Sequence, residues 1–353
     1  MPSFRSGTVT SLREERDGLQ RVDVDFGDAS EPAYVLTRLT GPVAVGDRVV
    51  VNTTAVELGL GTGGWHVVHW NLERAGWAES GPGHIMKSRY TSFQHDAGSA
   101  EEHDRELADV TSIEGMPVVA APLHSQLPAV AAGFKARRPD ARLAYVMTDG
   151  AALPLALSDL IVAVRNAGLV DLTVTSGHAF GGDFEAVSLY SALAVARRLG
   201  RADAAVVAMG PGIVGTDSRL GFSGIEIGPI LDAAVGLGGR PIAALRISFA
   251  DSRERHRGVS HHSLTALSVA TRSRVEVAVP AVGGSDEEII RSELVEAGVA
   301  SRHDLVPVRP IGAVALLEAH GLRVSSMGRP AAEDPVLFEA AAVAGVLAAE
   351  RLP

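Results

Sequence analysis

The chain has 353 residues, 46% hydrophobic and 21% charged, the balance of a globular protein long enough for more than one packed core. Its 32 basic and 42 acidic side chains leave a formal charge of -10, a poor match to phosphate backbones, so nucleic acid is not an expected partner. Cysteine is absent, which removes disulfides, thiolate nucleophiles and cysteine-held metals and leaves His, Asp and Glu as the metal-binding side chains.

The chain starts Met1-Pro2-Ser3-Phe4-Arg5-Ser6, without the apolar stretch of a signal peptide. The apolar run at 340–349 is about half of the ~20 residues a membrane span needs. The expectation is a cytoplasmic protein with no membrane partner.

From residue 5 to 72 the pattern is one of short alternating runs, at 7–12, 20–26, 33–39, 47–54 and 65–72, separated by Asp17-Gly18, Gly27-Asp28 and Gly41-Pro42. Val22, Val24 and Phe26 alternate with Arg21, Asp23 and Asp25, the period of a half-buried strand. Residues 1–75 are therefore expected to form a small all-β barrel-like domain. The run from Gly46 to Asn52 resembles strands of biotinyl-carrier barrels, but no lysine stands in this region to carry the group, and the domain reads as a platform.

Residues 76–115 read as a polar connector containing Gly81-Pro82-Gly83, with a short helix over 100–108 nucleated by Ser99. His84, Lys87, Arg89, Tyr90, Gln94 and His95 crowd into it. Lys87 and Arg89 are its candidate ligand contacts, and a solvated linker is the plainer reading.

From 116 to 353 apolar strands alternate with amphipathic helices. Strands are expected at 117–122, 143–148, 172–175, 204–209, 241–248, 275–280 and 305–308, and helices at 125–138, 158–167, 183–199, 285–297 and 336–351. Short strands that are apolar throughout fit burial on both faces. The fold class expected is α/β: a doubly wound, mostly parallel Rossmann-like sheet after the barrel.

In such a sheet ligands sit beyond the carboxyl ends of the strands, which directs attention to the loops there. Asp149-Gly150 follows one strand. Ser176 to Glu185 follows the next, and His178 in it can serve as general base or join Asp183 in holding a metal. Asp183 also reads as the N-cap of the helix expected over 183–199.

Gly210-Pro211-Gly212-Ile213-Val214-Gly215 has the G-x-G-x-x-G spacing of a dinucleotide loop, but Thr216 and the polar residues after it do not open a helix. Gly210, Gly212, Gly215 and Thr216 are thus read as a phosphate or carboxylate cradle or a plain structural loop, with a dinucleotide-dependent oxidoreductase as the alternative. The only lysines are Lys87 and Lys135, so no Walker loop can be built.

The stretch 248–263 is the most loaded. It carries Arg253, Arg255, Arg257, His256, His261 and His262, a local excess of forked cations suited to a bidentate anion. Pairing of these arginines with Asp251 and Glu254 is the bland account. Arg257, between His256 and Gly258, is expected to be a direct anion contact.

Four stretches taken together, Gly83 to Tyr90, Gly181 to Ala186, Gly210 to Thr216 and Arg255 to His262, resemble an uncharacterised bacterial family of about this length, a domain of unknown function, over nearly the whole chain. The resemblance implies no activity.

The residues themselves point to a small anionic metabolite or nucleotide-like ligand held by Arg253, Arg255, Arg257 and the Gly210 loop. Asp149, His178, Asp183, His256, His261 and His262 are the candidates for acid–base chemistry, and the same N/O set suits zinc, manganese or iron. A non-catalytic regulatory or assembly protein using these loops as an interface is the alternative. A homodimer is the default closed assembly, and no cofactor, substrate or reaction class follows from the residues.

Overall fold

A computed structural model describes residues 1–60 and 63–352 and divides into two compact units, Met1–Gly98 and Ser99–Pro353. Residues 76–98 of the expected connector fall in the first and 99–115 in the second.

The first unit is built on β1 (Phe4–Arg16), β2 (Leu19–Asp25), β3 (Ser30–Val35), β4 (Arg48–Asn52) and β5 (His66–Asn71), with single helical turns at α1 (Thr37–Thr40) and α2 (Thr54–Glu57). The strands close into a barrel in the order β1-β2-β3-β5-β4, which leaves no exposed sheet edge. Val9, Val22, Val24, Ala33, Val35, Val49, Val51 and Val68 fill it, so the alternation of apolar and charged residues along β2 is the inside and outside of the barrel wall. β1 reaches two neighbours by bending, with register shifts between Val9 and Ser11 and between Leu12 and Glu14. The unit ends with a two-residue ribbon, β6 (Met86–Lys87) and β7 (His95–Asp96).

The second unit opens with α3 (Ala100–His103). The helix expected over 100–108 breaks at Asp104, whose carboxylate accepts the Glu106 N–H and caps a separate 3₁₀ turn, 105–107. An eight-stranded sheet follows, built from β8 (Pro117–Ala120), β9 (Leu143–Thr148), β10 (Leu172–Ser176), β11 (Phe184–Ala186), β12 (Ala204–Met209), β13 (Arg240–Ala243), β16 (Glu276–Pro280) and β17 (Asp304–Val308). Two short strands, β14 (Ile247–Ser248) and β15 (Gly258–Val259), pair with each other outside it.

The sheet order is β11-β10-β9-β12-β8-β13-β16-β17, and every pairing in it is parallel. One face carries α4 (Leu127–Arg137), α5 (Asp159–Asn166), α11 (Ala313–Ala319) and α12 (Pro335–Glu350). The other carries α6 (Leu189–Arg198), α7 (Ile227–Gly236), α8 (His261–Thr265), α9 (Gly284–Glu296) and α10 (Val299–Arg302). The strands serve both cores. In β9, Tyr145 and Met147 enter one, while Ala144 and Val146 enter the other, which is why they read as unbroken apolar runs.

The structure corrects two elements. The helix expected over 183–199 starts only at Leu189, capped by Ser188, because 184–186 pair with β10 as an edge strand. The strand expected over 241–248 stops at Ala243. The Arg246 N–H there bonds Ser263 Oγ (2.9 Å), and its carbonyl accepts the Ser260 N–H (2.8 Å), so the backbone leaves the sheet to meet the 260–263 turn.

β9 and β12 are neighbours, and the chain proceeds from them in opposite directions, to β10 on one side and to β13 on the other. Their carboxyl ends flank the crevice that a doubly wound sheet offers to ligands. Among the described residues no helix is long and apolar enough to cross a membrane.

Candidate functional site

Two polar groupings follow the carboxyl ends of strands in the sheet. The first is at the crevice. Thr148, the last residue of β9, donates its hydroxyl to Glu226 Oε1 (2.7 Å). Glu226 ends the 3₁₀ turn before α7, and a Cβ on Gly150 would overlap its other carboxylate oxygen. Burial, reinforced by the charge of Asp149 and opposed by the Thr148 hydrogen bond, pushes the Glu226 carboxyl up to about 7.

Nearby, His124 Nε2 meets Ser158 Oγ (2.7 Å), while its Nδ1 lies 3.1 Å from the Tyr145 hydroxyl and 3.2 Å from the Met209 carbonyl. Burial holds this imidazole down at about 4. Its ring ties the loop after β8 to the end of β12 and to the segment after β9, where Ser158 also caps α5.

Glu226 makes a stability prediction with a definite sign. Its native pKa lies above the unfolded value, so its contribution is complete below about pH 4.5 and is lost as pH rises through about 7. The loss is on the order of 3 kcal/mol. Glu226→Gln should therefore gain on wild type between about pH 5 and about pH 8 in urea midpoints. His124 titrates in both proteins and cancels in the comparison. Parallel profiles would show that Glu226 is not held as the acid.

The second grouping follows β13. The β14–β15 ribbon closes the loop 249–257, in which a 3₁₀ turn over Glu254–His256 points His256 inward. Gly258 is needed at φ +73°, where a side chain would strike the Glu293 carboxylate. Ser260 then caps α8, accepting the His262 N–H (3.3 Å), and places His261 and His262 in the first helical turn. A π-helical turn, 266–270, follows, a local unwinding that recurs at functional sites.

The three histidine rings converge, with centroids 5.0 Å apart for His256 and His261, 4.8 Å for His256 and His262, and 4.3 Å for His261 and His262. Phe222 stacks flat on His262 at 3.9 Å. Burial, with Arg246 close by, pushes His256 down to about 3. Burial and the neighbouring imidazole do the same to His262, and burial beside Arg255 lowers His261. All three are therefore neutral at neutral pH.

Beneath them lies an ionic knot. Asp251 receives Arg253 through Nε (2.9 Å) and Nη2 (2.8 Å), Arg329 Nη2 (3.2 Å) and Arg246 Nη2 (3.4 Å). Asp334 Oδ2 receives Ser248 Oγ (2.7 Å) and Arg329 Nε (3.1 Å). Arg329 belongs to a hairpin of β18 (Ser325–Ser326) and β19 (Arg329–Pro330), and Asp334 precedes α12. The bidentate hydrogen bond from Arg253 holds the Asp251 carboxyl far below the usual range, and burial lowers Arg246 to about 10.

An open cleft of about 400 Å³ borders His261, its polar lining made of Asp217, Arg219, Arg255, His261, Thr265 and Ser268. Arg255 pairs with Asp217 at the rim. Arg219 and Arg257 are exposed, and neither has an ion-pair partner among the described residues.

The fold gathers some of the expected residues and disperses others. His256, His261 and His262 come together, with Arg255 beside them. Arg253 is bound to Asp251. Asp149 lies at the crevice, where its carboxylate accepts the His178 N–H (2.9 Å). Asp183 stands at the opposite end of β10, since β11 pairs Phe184 with Val174. Its carboxylate there takes the Thr173 N–H (2.8 Å), the Thr173 hydroxyl (3.0 Å) and Arg165 (2.8 Å), so it is not brought to Asp149 and His178.

Lys87 is buried and pairs in register with His95, and Arg89 is exposed; both belong to the first unit. The Gly210 loop folds back on itself through a bridge between Gly215 and Phe222, and the Thr216 N–H is spent on the Gly221 carbonyl (2.7 Å). α7 begins only at Ile227, so the Gly-rich turn does not open a helix as a dinucleotide fingerprint requires. Gly210 approaches the Ala152 carbonyl too closely for a side chain, Gly212 has φ +103°, and Gly215 packs on the His262 ring.

Sequence reasoning passed over Arg246, Asp251 as a hub, Arg329, Asp334, Arg219 and Glu226. Two carried a signal. Arg246 is a lone charge inside the apolar run 241–247, and Glu226 a lone acid within Gly224-Ile225-Glu226-Ile227.

The family model described as a protein of unknown function, DUF3866, matches residues 32–345. No curated protein matches the chain.

Proposed function

The chain belongs to the DUF3866 family, and from its own residues we propose that it binds a small anionic molecule in the cleft beside His261. The observation that carries this is the meeting of Arg219, which has no protein partner among the described residues, with Arg255, Thr265 and Ser268 around one concave space. Forked guanidinium groups and hydroxyls are the donor set for a phosphate or carboxylate. The wall facing them is His261.

A thermal-shift screen of phosphate esters and di- and tricarboxylates identifies the ligand class, because a molecule that binds only the folded chain raises its melting temperature. Against the best member, Arg219→Ala and Arg255→Ala should each lose roughly 10- to 100-fold in affinity, the worth of a hydrogen bond to a charged group. Arg255→Lys should recover little of it. Arg257→Lys is the arm for the arginine outside the lining: a loss there extends the contact surface to the next turn. A panel with no member that binds, or arginine variants that bind as wild type does, would sink the proposal.

A further inference from the structure

We infer that His256, His261 and His262 form a mononuclear centre for a divalent transition metal of the zinc class. One ring nitrogen from each lies within 4.8 Å of the other two. Zinc holds its nitrogens at about 2.0–2.1 Å, so closing three imidazoles on one ion asks for side-chain adjustment and no change of fold.

Two other accounts of the cluster fail on particulars. As cations gripping an anion, three positive rings would stand with centroids 4.3–5.0 Å apart, an approach of like charges that opposes such a site. As plain packing against Phe222, they should leave no polar atom unsatisfied, yet His261 Nε2 is buried with no hydrogen-bond partner. An orphaned buried nitrogen beside two further imidazoles is the condition a metal ion relieves.

The remaining contacts leave ligand nitrogens available. His256 Nδ1 is held by Ser260 Oγ (2.7 Å), a hydrogen bond that fixes the ring and leaves Nε2 for a metal. The polar contact of the His262 ring is a long one, 3.4 Å from Arg246 Nη1 to Nδ1. Three ligands leave a fourth position, as in catalytic rather than structural zinc sites.

The surroundings narrow the ion further. Arg246, Arg253 and Arg329 face two carboxylates, Asp251 and Asp334, and Arg255 faces Asp217. This excess of positive charge opposes hard cations held by charge alone, such as magnesium or calcium, and leaves ions whose affinity comes from imidazole nitrogen. It also favours an anion in the fourth position. There the inference rests on the proposed function, because the open side is the His261 wall of the Arg219–Arg255 cleft.

The test is titration of the chelator-treated full chain with Zn²⁺, and with Co²⁺ for its visible spectrum. The expected result is one equivalent bound, with the strong visible absorption of four-coordinate cobalt. His261→Ala should weaken binding by about 100-fold or more and leave the melting temperature of the metal-free protein near wild type. His256→Gln gives a second ligand deletion with the ring volume roughly kept. His320→Ala removes an exposed histidine outside the cluster and should change nothing.

No binding, binding unmoved by both cluster variants, or binding lost with His320 would each overturn the inference. Repeating the anion screen on metal-free protein separates the two proposals. Anion binding without any metal binding ends this one alone, and metal binding with no anion ends the other alone.

Discussion

Asp251→Asn should cost the second unit about 3–5 kcal/mol, the usual penalty for breaking a buried ion pair from one side. The side chains of Asp251 and Arg246 are 1% and 2% exposed, so neither charge can turn to water. Asparagine keeps the shape and an oxygen for the Arg253 N–H, which isolates the charge. Arg246, Arg253 and Arg329 would then face one another with Asp334 as the remaining carboxylate.

The expected fall in melting temperature is roughly 10 °C. Arg253→Gln, which removes the partner whose side chain is 44% exposed, should cost under ~1 kcal/mol. Arg246→Met in the Asp251→Asn background should recover part of the loss, since it removes the stranded charge. Denaturant unfolding of the three variants measures this directly. A loss below about 1 kcal/mol for Asp251→Asn would mean that water reaches the knot.

Gly345→Ala should be destabilising by more than about 3 kcal/mol, against the direction of helix propensity. α12 lies on α4 so closely that a Cβ at Gly345 would overlap the Val130 carbonyl oxygen, and one at Gly133 would overlap that of Ala342. Both obstacles are backbone, which cannot rotate aside, so the helices must separate and give up contacts among Phe134, Phe338, Ala341 and Ala342. Gly236, at the exposed end of α7, meets only the Tyr190 ring edge at 3.8 Å. There the same substitution should gain about 0.5–1 kcal/mol. Opposite signs at the two glycines, read by denaturant midpoints, confirm the close approach; equal gains would refute it.

The sequence was a good guide to local structure because local structure is written in periods. Alternation along 20–26 returned β2, and unbroken apolar runs returned β9 and β12 with the same bounds, 143–148 and 204–209. It failed where a tertiary partner overrode a local signal. Asp183 looked like a helix cap, and pairing of Phe184–Ala186 with β10 left it in the bend that leads into an edge strand. The run 241–248 looked like one strand, and the bonds from Arg246 to Ser260 and Ser263 broke it.

The candidate site divides the same way. Composition and spacing alone determined the absence of thiolate chemistry, the lack of a phosphate-loop lysine, and a histidine–arginine concentration at 253–262, since these depend only on which residues exist and how far apart they stand. The tertiary structure decided which of them meet. Arg253 and Arg255 are alike in type and two positions apart, yet one is fixed to a buried aspartate and the other borders the cleft. Asp251, Arg329 and Asp334 join across 83 positions of chain. A charge has no period by which sequence can announce its partner; it is the low-dielectric interior that makes an unpaired charge intolerable and so selects, from distant segments, the group that neutralises it.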